Sequence, residues 1–480
     1  MCGIICIFNT LKLDLLQTIK NRGQESYGIS YFNKNRIVLK NFLGKMPKDI
    51  PFNIDEFYKD TKENPIKYII GHTRYSTSGK KIPESQTQPI MGITRIKNKV
   101  EPYILVHNGN IYNRTRLKEL YHCNISDIYS DTQILAEIIN KFNKDSWTEL
   151  FIELMTQIPG VYNLIIGTRE QVFIIRDRYG VRPLCITKEP NTENYCVVSE
   201  SNGTDYEIIR DIEPGELAIL DKNGFKSEFV YDQLDHKSIQ SKSIQSKQPN
   251  FTPCLFEYIY FCAKDTICDN VNITTFRYKC GQQLAKNDTE FVKSLMQTNN
   301  DKNNYNVIVV GAPETGITSA MGYSDYHNLD YHQVLYKKNQ GRTFILDETN
   351  RKKEFTKKYG ILESVVKGKI IIIVDDSLVR GNTLKTLIYQ LKECKVKAIH
   401  IRIAAPPVIS PCYFGIDIPT YKELIAYNFK GDITAINSEI GSDSLKYLKV
   451  EELLEVLPSK NKDSCVSCFT NEYNKELMDW

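Results

Sequence analysis

The chain of 480 residues is longer than one ordinary hydrophobic core requires, and this length predicts two or three domains. Its 62 basic and 58 acidic residues leave a net charge of +4, which excludes the strong positive field typical of nucleic-acid-binding proteins. Hydrophobic residues make up 41% of the chain, but no apolar run approaches the roughly 20 residues of a membrane helix, so we expect neither a nucleic-acid nor a membrane partner.

The N-terminal segment begins with Met1 and Cys2 and continues into an apolar run over residues 3–8. It has no basic leader, so we expect no secretory signal, and the 13 cysteines, an odd number, favour reduced thiols or a metal centre in the cytoplasm over a disulfide framework. Removal of Met1 would leave Cys2 with a thiol and a free α-amine, whose pKa near ~8 suits a general base. Taken alone, Cys2 fits an ordinary buried strand residue at least as well.

Three segments place polar side chains where an apolar run ends, the usual position of a site built on a rigid sheet: residues 21–28 (NRGQESYG), 71–77 (GHTRYST) and 106–111 (VHNGNI). Together with Cys2 they resemble the glutaminase domain of class II, N-terminal-nucleophile, amidotransferases. The resemblance continues in chain order through 130–132 (SDT), 160–164 (GVYNL), 176–184 (RDRYGVRPL), 198–201 (VSES) and 212–216 (IEPGE).

This resemblance implies an αββα sandwich over residues 2–232, in which Cys2 attacks the side-chain amide of glutamine. It also implies that Asn108 and the Gly109 N–H stabilise the oxyanion, while Arg74 binds the α-carboxylate of glutamine and Asp131 its α-ammonium group. A guanidinium offers two parallel donors to a carboxylate, and each preformed oxyanion donor is worth about 3 to 4 kcal/mol. Two histidines of these segments are interpreted as structural: His72 and His107.

A polar stretch separates this region from the next. The sequence KSIQS occurs at residues 237–241 and again at 242–246, and we interpret residues 233–250 as a low-complexity loop or insertion without a function of its own. A second domain is expected over residues 251–457, followed by a tail over 458–480.

The second domain opens with residues 253–261 (PCLFEYIYF) and continues through 275–285 (TFRYKCGQQLA), and both blocks resemble the junction of the amidophosphoribosyltransferase family. Residues 307–316 (VIVVGAPETG) resemble the family's strand and loop for pyrophosphate and metal, which implies a metal-associated hydroxyl on Thr315. Residues 341–345 (GRTFI) resemble its flexible loop, which implies that Arg342 contacts the pyrophosphate of phosphoribosylpyrophosphate (PRPP).

Residues 370–383 read IIIIVDDSLVRGNT. Five consecutive β-branched residues predict a strand buried on both faces of a parallel sheet, with Asp375 and Asp376 at its carboxyl end, where open α/β sheets bind ligands. The loop that follows offers backbone N–H groups to a phosphate, and the acids suit ribose hydroxyls or a metal. Acids also end strands simply as helix caps, which is the plain alternative.

The same stretch resembles the PRPP motif of type I phosphoribosyltransferases, whose fold is a doubly wound parallel sheet. The resemblance implies that Asp375 and Asp376 hold the ribose hydroxyls and Mg2+. The implied binding loop for the 5-phosphate has seven residues: Ser377, Leu378, Val379, Arg380, Gly381, Asn382 and Thr383. Asn382 stands where this subfamily usually has a threonine.

The tail contains one Cys-x-x-Cys pair, a pattern shared by zinc sites, redox pairs and iron–sulfur clusters. Residues 404–419 and 440–448 also resemble the amidophosphoribosyltransferase family, and one branch of that family carries a structural [4Fe-4S] cluster. The resemblance implies four ligands: Cys254, Cys412, Cys465 and Cys468. Four thiolates suit such a cluster or tetrahedral zinc, and the family favours iron. The other cysteines outside Cys2 are assigned to packing: Cys6, Cys123, Cys185, Cys196, Cys262, Cys268, Cys280 and Cys394.

The predicted reaction converts glutamine, PRPP and water into 5-phosphoribosylamine, glutamate and pyrophosphate, with ammonia channelled between two sites. Two departures from the family stand out, Ala263-Lys264 in place of Arg-Pro and Tyr336 in place of a lysine. The alternatives are a glutaminase with another acceptor, as in glucosamine-phosphate synthase, and a silent PRPP-binding subunit. We further expect purine nucleotides as feedback inhibitors and a cytoplasmic homo-oligomer, a tetramer or a dimer.

Overall fold

The computed structural model describes residues 2–34, 36–48, 66–75, 84–124, 130–202, 204–229, 251–298, 306–337, 359–418 and 420–478. The predicted repeat within 233–250 and the loop 341–345 with Arg342 lie outside these residues. None of the helices in the described ranges is long and apolar enough to cross a membrane.

The first domain is built on two seven-stranded sheets, ordered β12-β10-β11-β1-β4-β2-β3 and β14-β13-β9-β8-β6-β5-β7. Their strands are β1 Gly3–Phe8, β2 Ser26–Asn33, β3 Arg36–Leu43, β4 Tyr68–Arg74, β5 Ile90–Ile96, β6 Lys99–Asn110, β7 Asn143–Lys144, β8 Val161–Gly167, β9 Val172–Arg176, β10 Cys185–Lys188, β11 Tyr195–Val198, β12 Glu207–Asp211, β13 Glu216–Asp221 and β14 Gly224–Phe229.

The central strand β1 is buried on both faces, which explains why its sequence is continuously apolar. Ile4 and Cys6 lie in the core between the two sheets, whereas Ile5 and Ile7 lie on the outer face of the first sheet, as the two-residue period of a strand requires. The outer face is covered by the 3-10 segment Leu13–Arg22.

Helices cover the outer face of the second sheet, and its core includes apolar side chains from Arg114–Leu120, Asp131–Lys141 and Trp147–Gln157. A short 3-10 turn, Glu84–Gln86, precedes β5. A helical layer, the two sheets and a second helical layer are thus stacked in the order of the predicted αββα sandwich.

The second domain contains a parallel sheet ordered β18-β17-β21-β22-β23. The strands of this domain are β15 Ile267–Cys268, β16 Val271–Asn272, β17 Val307–Gly311, β18 Asp330–Tyr331, β19 Leu335–Lys337, β20 Tyr359–Ile361, β21 Ile370–Asp375, β22 Ala398–Ile403 and β23 Ser444–Tyr447. Its helices are the π-helix Glu257–Phe261, the α-helices Ile273–Lys286, Thr289–Thr298, Gly316–His327, Glu363–Val366, Asn382–Glu393, Ile425–Asn428, Ile433–Ile440, Val450–Glu455, Ser467–Thr470 and Lys475–Met478, and the 3-10 turns Tyr421–Glu423 and Ser459–Asn461.

The order of this sheet reverses between β17 and β21. The chain leaves β17 through Gly316–His327 towards β18, and it leaves β21 through Asn382–Glu393 towards β22, on the other side. Right-handed crossovers in opposite directions put these helices on opposite faces of the sheet. The predicted doubly wound sheet is therefore confirmed, and its switch point, where such folds bind ligands, lies at the ends of β17 and β21.

Candidate functional sites

A cavity of about 50 Å³ lies beside Cys2 in the first domain. Its lining comes from both domains: Cys2, Arg74, Tyr75, Gln88, His107, Gly109, Asn110, Asp131, Thr132 and Gly415. The structure thus brings together four of the residues predicted for a glutamine site, Cys2, Arg74, Gly109 and Asp131, whereas the fifth, Asn108, is not part of this lining. The lining also includes Gly415 from the second domain, which the sequence did not indicate.

The cavity has a rigid floor because its side chains sit on paired strands. Next to Cys2, Gly3 pairs with Thr73, one residue before Arg74. A Cβ atom on Gly3 would lie 2.8 Å from both Ile19 and Thr73, so glycine is what lets the chain beside Cys2 pack this closely.

Asn108 and Gly109 lie on β6, where they pair with Asn163 and Tyr162 of β8. A Cβ on Gly109 would stand 2.0 Å from the Val161 carbonyl oxygen, so only glycine fits there. Asn108 is 1% exposed, and its Nδ2 makes no hydrogen bond to any described residue. A buried amide donor without a partner is costly unless a ligand satisfies it.

Two ionic groups in the lining carry opposite charges, as an α-amino acid requires. Arg74 donates from Nη1 to the Gln86 carbonyl and from Nη2 to Gln86 Oε1 at 3.3 Å. Asp131 begins the helix Asp131–Lys141 directly after the N-cap Ser130, and it accepts the Ile111 N–H at 3.1 Å.

Both histidines predicted to be structural are buried on β4 and β6. Burial lowers the pKa of His72 well below its ordinary value, and burial lowers that of His107 although Asp131 opposes the shift. His107 Nδ1 lies 3.1 Å from Thr132 Oγ1. Burial thus favours the neutral imidazole at both places, and the His107 ring also has the hydrogen bond to Thr132.

The second site lies at the switch point of the parallel sheet. Asp375 ends β21, and its Oδ1 accepts the Asp376 N–H at 2.9 Å. Burial and then Asp376 raise the pKa of Asp375 well above its ordinary value. Burial also raises the pKa of Asp376, although hydroxyl groups of Ser377, at 2.5 Å, and Thr315 favour its charged form. Two adjacent carboxylates, Asp376 buried and Asp375 partly buried, are stabilised by a cation.

Thr315 reaches Asp376 because the loop after β17 packs closely on β21. A Cβ atom on Gly316 would lie 2.6 Å from the Val374 carbonyl oxygen. This pair of acids and a hydroxyl fits Mg2+, which usually takes one or two carboxylates and completes its shell with water and substrate oxygens. Among the described residues no group of three or more histidine, cysteine or acidic side chains is arranged to hold a metal ion.

The loop 377–383 turns into the helix Asn382–Glu393 at Gly381, whose φ of +81° places it in the left-handed region. Leu378 is buried, the Val379 carbonyl accepts the Ile425 N–H at 2.9 Å, and Arg380 forms a partly exposed ion pair with Glu423. The Leu378 and Arg380 side chains are thus engaged by other parts of the domain, so the loop would offer a phosphate its backbone N–H groups and a helix N-terminus.

Arg277 is a residue of this site to which sequence reasoning gave no role. It is buried in the helix Ile273–Lys286, donates from Nε to the Tyr258 carbonyl at 2.9 Å and from Nη2 to the Cys262 carbonyl at 2.7 Å, and interacts electrostatically with Asp376. The block TFRYKCGQQLA contained it, but nothing in that pattern indicated which acid it would face.

Tyr260 has electrostatic neighbours in both sites. Burial, followed by Asp376 and Asp375, raises its pKa, and its other electrostatic neighbours are Tyr75 and Arg380. Tyr75 lines the cavity beside Cys2. Tyr260 of the second domain is therefore an electrostatic neighbour of both the acid pair and Tyr75 in the lining of the glutamine cavity.

The four cysteines predicted as cluster ligands approach one another from three separate segments. Cys254 and Cys465 form an isolated parallel bridge, with the Cys465 N–H donating to the Pro253 carbonyl at 2.8 Å. Burial first, and then the other three thiols, raises the pKa of Cys468. In the part of the chain that the structure describes, these four thiols are not arranged around a single metal ion.

The two departures from the family pattern have ordinary structural roles. The Ala263 N–H donates to Glu200 Oε2 at 2.7 Å, so its backbone matters at the domain junction. Tyr336 lies on β19 opposite Gly360, and a Cβ on Gly360 would stand 2.2 Å from its ring.

Comparison with known proteins identifies both parts of the chain. Residues 72–203 match the family of glutamine amidotransferase domains, and residues 283–406 match the family of phosphoribosyl transferase domains. The amidophosphoribosyltransferase of Methanocaldococcus jannaschii is 30% identical over 99% of this chain and 98% of that protein. The amidophosphoribosyltransferase of Mus musculus is 32% identical over 96% of this chain and 92% of that protein.

Two solved structures cover nearly the whole chain. One is the glutamine PRPP amidotransferase from Bacillus subtilis complexed with ADP and GMP, with a TM-score of 0.77 and 29% identity over 98% of this chain and 97% of that one. The other, described as the allosteric regulatory enzyme of purine biosynthesis, has a TM-score of 0.78 and 29% identity over 98% of this chain and 96% of that one.

Proposed function

The chain belongs to the amidophosphoribosyltransferase family, and from this membership we propose how its two sites share one reaction. The enzyme forms 5-phosphoribosylamine, glutamate and pyrophosphate from glutamine, PRPP and water, a step of purine synthesis. Its phosphoribosyltransferase domain excludes the alternative in which the glutaminase serves a sugar acceptor such as that of glucosamine-phosphate synthase.

At the first site the Cys2 sulfur adds to the side-chain amide carbon of glutamine. The Asn108 amide and the Gly109 N–H would receive the oxyanion, and collapse of this intermediate breaks the C–N bond, releases ammonia and leaves a glutamyl thioester on Cys2. Water then hydrolyses the thioester to glutamate. Arg74 would hold the α-carboxylate of glutamine and Asp131 its α-ammonium group, and their opposite charges within one small cavity support these roles.

At the second site ammonia attacks C1 of PRPP, and pyrophosphate leaves with the electrons of the broken C–O bond. Asp375 and Asp376 would hold the ribose hydroxyls and Mg2+ with help from the Thr315 hydroxyl, and the loop 377–383 would bind the 5-phosphate through its backbone. When bound, Mg2+ supplies positive charge against the leaving pyrophosphate. The role of Arg342 on that group stays a prediction.

Two observations support the coupling of the two sites. Gly415 of the second domain lines the cavity that contains Cys2, and Tyr260 is an electrostatic neighbour of both Tyr75 in that lining and the acid pair. Ammonia released into bulk water would be protonated and would lose its nucleophilicity. We therefore propose that it travels along the domain interface, with the flexible loop closing the path over PRPP.

We also propose that Cys254, Cys412, Cys465 and Cys468 hold a [4Fe-4S] cluster of structural importance. The burial of Cys254 and Cys468 and the electrostatic interactions among the four thiols support it. Feedback by purine nucleotides is proposed by analogy with the Bacillus subtilis enzyme, whose solved structure is a complex with ADP and GMP. A homo-oligomeric state and a cytoplasmic location, in which thiols stay reduced, complete the proposal.

The test is PRPP-dependent glutamate release by the purified protein and by Cys2→Ala. The wild-type protein should release glutamate and pyrophosphate together, whereas the variant should lose glutamine use and keep ammonia-dependent pyrophosphate release. Glutamine turnover that persists in the variant would contradict the role of Cys2. PRPP binding without turnover by the wild-type protein, with either nitrogen source, would favour the silent PRPP-binding subunit.

A further inference from the structure

Four charged side chains are buried together where the two domains meet, and we call them the interface charge cluster: Arg22, Arg182, Glu200 and Glu257. Three belong to the first domain, and Glu257 comes from the π-helix of the second. All four side chains are at most 4% exposed. Burying an unpaired charge is strongly unfavourable, so each of these two cations and two anions needs its oppositely charged partner in order to stay buried.

Arg22 is the member that reaches the nucleophile. Its Nε donates to the Cys2 carbonyl oxygen at 3.1 Å, its Nη2 donates to both carboxylate oxygens of Glu257 at 2.9 and 3.1 Å, and its Nη1 pairs with Glu200. Burial would lower the pKa of Arg22, but Glu257 and Glu200 raise it. The two carboxylates thus fix the orientation of the planar guanidinium. This orientation in turn fixes the hydrogen bond from Arg22 to the Cys2 carbonyl oxygen.

Glu257 also reaches the opposite wall of the glutamine cavity. Its Oε1 accepts from Arg182 Nη1 at 3.2 Å, and Arg182 Nε donates to the Phe414 carbonyl at 3.2 Å. The next residue, Gly415, lines the cavity, and a Cβ there would stand 3.1 Å from the Gly109 carbonyl group. One carboxylate of the second domain therefore supports both Cys2 and the wall that faces Gly109.

The cluster continues towards the PRPP site. Glu200 Oε2 accepts the Ala263 N–H at 2.7 Å and the Thr266 hydroxyl at 3.0 Å. Between Glu257 and Ala263 lies Cys262, whose carbonyl accepts from Arg277 Nη2, and Arg277 faces Asp376. The segment that carries Glu257 is thus tied to both reaction centres.

A second ion pair at the same junction gives a matched comparison. Arg176 donates to Asp269 Oδ1 at 2.7 Å and Oδ2 at 3.1 Å, and both side chains are buried. Neither residue lines the cavity beside Cys2 or contacts Cys2 through any described hydrogen bond. Losing this pair removes a buried interdomain salt bridge of the same kind, and the hydrogen bond that Asp269 also accepts from the π-helix, from the Tyr258 hydroxyl at 3.0 Å, can still be accepted by the amide oxygen of an asparagine.

From this contrast we infer that Glu257 is a positioning residue for the glutaminase reaction: through Arg22 it holds the Cys2 backbone, and through Arg182 it holds the cavity wall at Phe414. The inference rests on the proposed role of Cys2 as nucleophile. The second domain, by this arrangement, supplies part of what makes the first domain's site reactive.

The experiment compares Glu257→Gln with the control Asp269→Asn. We expect Glu257→Gln to lower kcat with glutamine about tenfold to a hundredfold, because small displacements of a nucleophile have effects of this size, with little change in the KM for glutamine. Alkylation of Cys2 by iodoacetamide, followed as the mass of the N-terminal peptide, should change in rate as well. Asp269→Asn should keep kcat with glutamine within about twofold of wild type, and both variants should keep ammonia-dependent activity.

The inference is overturned if Glu257→Gln keeps wild-type kcat with glutamine, or if both variants lower it by the same factor. If Glu257→Gln does not accumulate as folded protein, Glu257→Asp carries the same test, since it retains the charge but shortens the reach to Arg22. A Cys2→Ala protein that still used glutamine would instead refute the proposed function, so the two failures are distinguishable.

Discussion

Asn108 offers the sharpest test of the glutamine site. Its Nδ2 is a buried donor that makes no hydrogen bond to a described residue, so its removal breaks none of the hydrogen bonds among the described residues. Replacing it with alanine should therefore act almost wholly on the transition state, where the oxyanion would be its acceptor. Removing one such donor typically costs about 3 to 4 kcal/mol, which corresponds to a fall of about 10² to 10³ in kcat.

The assay measures steady-state glutamate release by Asn108→Ala in the presence of PRPP, beside pyrophosphate release with ammonia as the nitrogen source. We expect kcat and kcat/KM with glutamine to fall by similar factors, because the lost interaction exists only in the transition state. Ammonia-dependent activity is the internal control and should be unchanged. A loss below about fivefold with glutamine, or an equal loss with ammonia, would refute the reasoning.

Three further predictions concern other parts of the molecule. Asp376→Asn should lower glutamine-dependent and ammonia-dependent pyrophosphate release alike, since both use the PRPP site; retention of either rate would contradict this role. Protein purified without oxygen should be brown and contain about four irons per chain, and Cys468→Ser should lower that content, whereas a colourless and fully active wild-type preparation would exclude the cluster. Desolvation and the Asp269 carboxylate raise the pKa of Asp211 to about 7, so the folded protein retains a proton that the unfolded chain releases near pH 4. The free energy of unfolding should therefore fall as the pH rises from about 4 to about 7. In Asp211→Asn the unfolding temperature should depend less on pH over this range, and a pH dependence equal to that of the wild type would contradict the prediction.

The sequence revealed those parts of the fold and site in which one short stretch holds both the structural and the chemical signal. Residues 370–376 are such a stretch, because a run of β-branched residues predicts the strand and two acids at its end predict the ligand position. Asn108 and Asp131 were indicated by the resemblance to the family. Asp131 lines the cavity beside Cys2, and Asn108 directly precedes the lining residue Gly109.

What the sequence did not reveal depends on partners that are distant along the chain. Arg22 belonged to a segment singled out for its polar residues, yet its partner Glu257 stands 235 positions later within an apolar block, where an acid reads as an interruption of the pattern. Gly415 was likewise part of a matched block, but its place in the glutamine cavity arises only when the second domain docks. No local periodicity encodes such contacts.

The proposed cluster ligands lie close to the same docking contacts. Arg182 interacts electrostatically with Cys254 and Cys412, and the Cys412 sulfur accepts the Phe414 N–H at 3.4 Å. The Phe414 carbonyl in turn accepts from Arg182, and Gly415 follows it in the cavity wall. A cluster held by these thiolates would add negative charge beside Arg182 and fix the turn that forms this wall. Because that turn belongs to the glutamine cavity rather than to the acid pair, loss of the cluster should impair glutamine use before ammonia use.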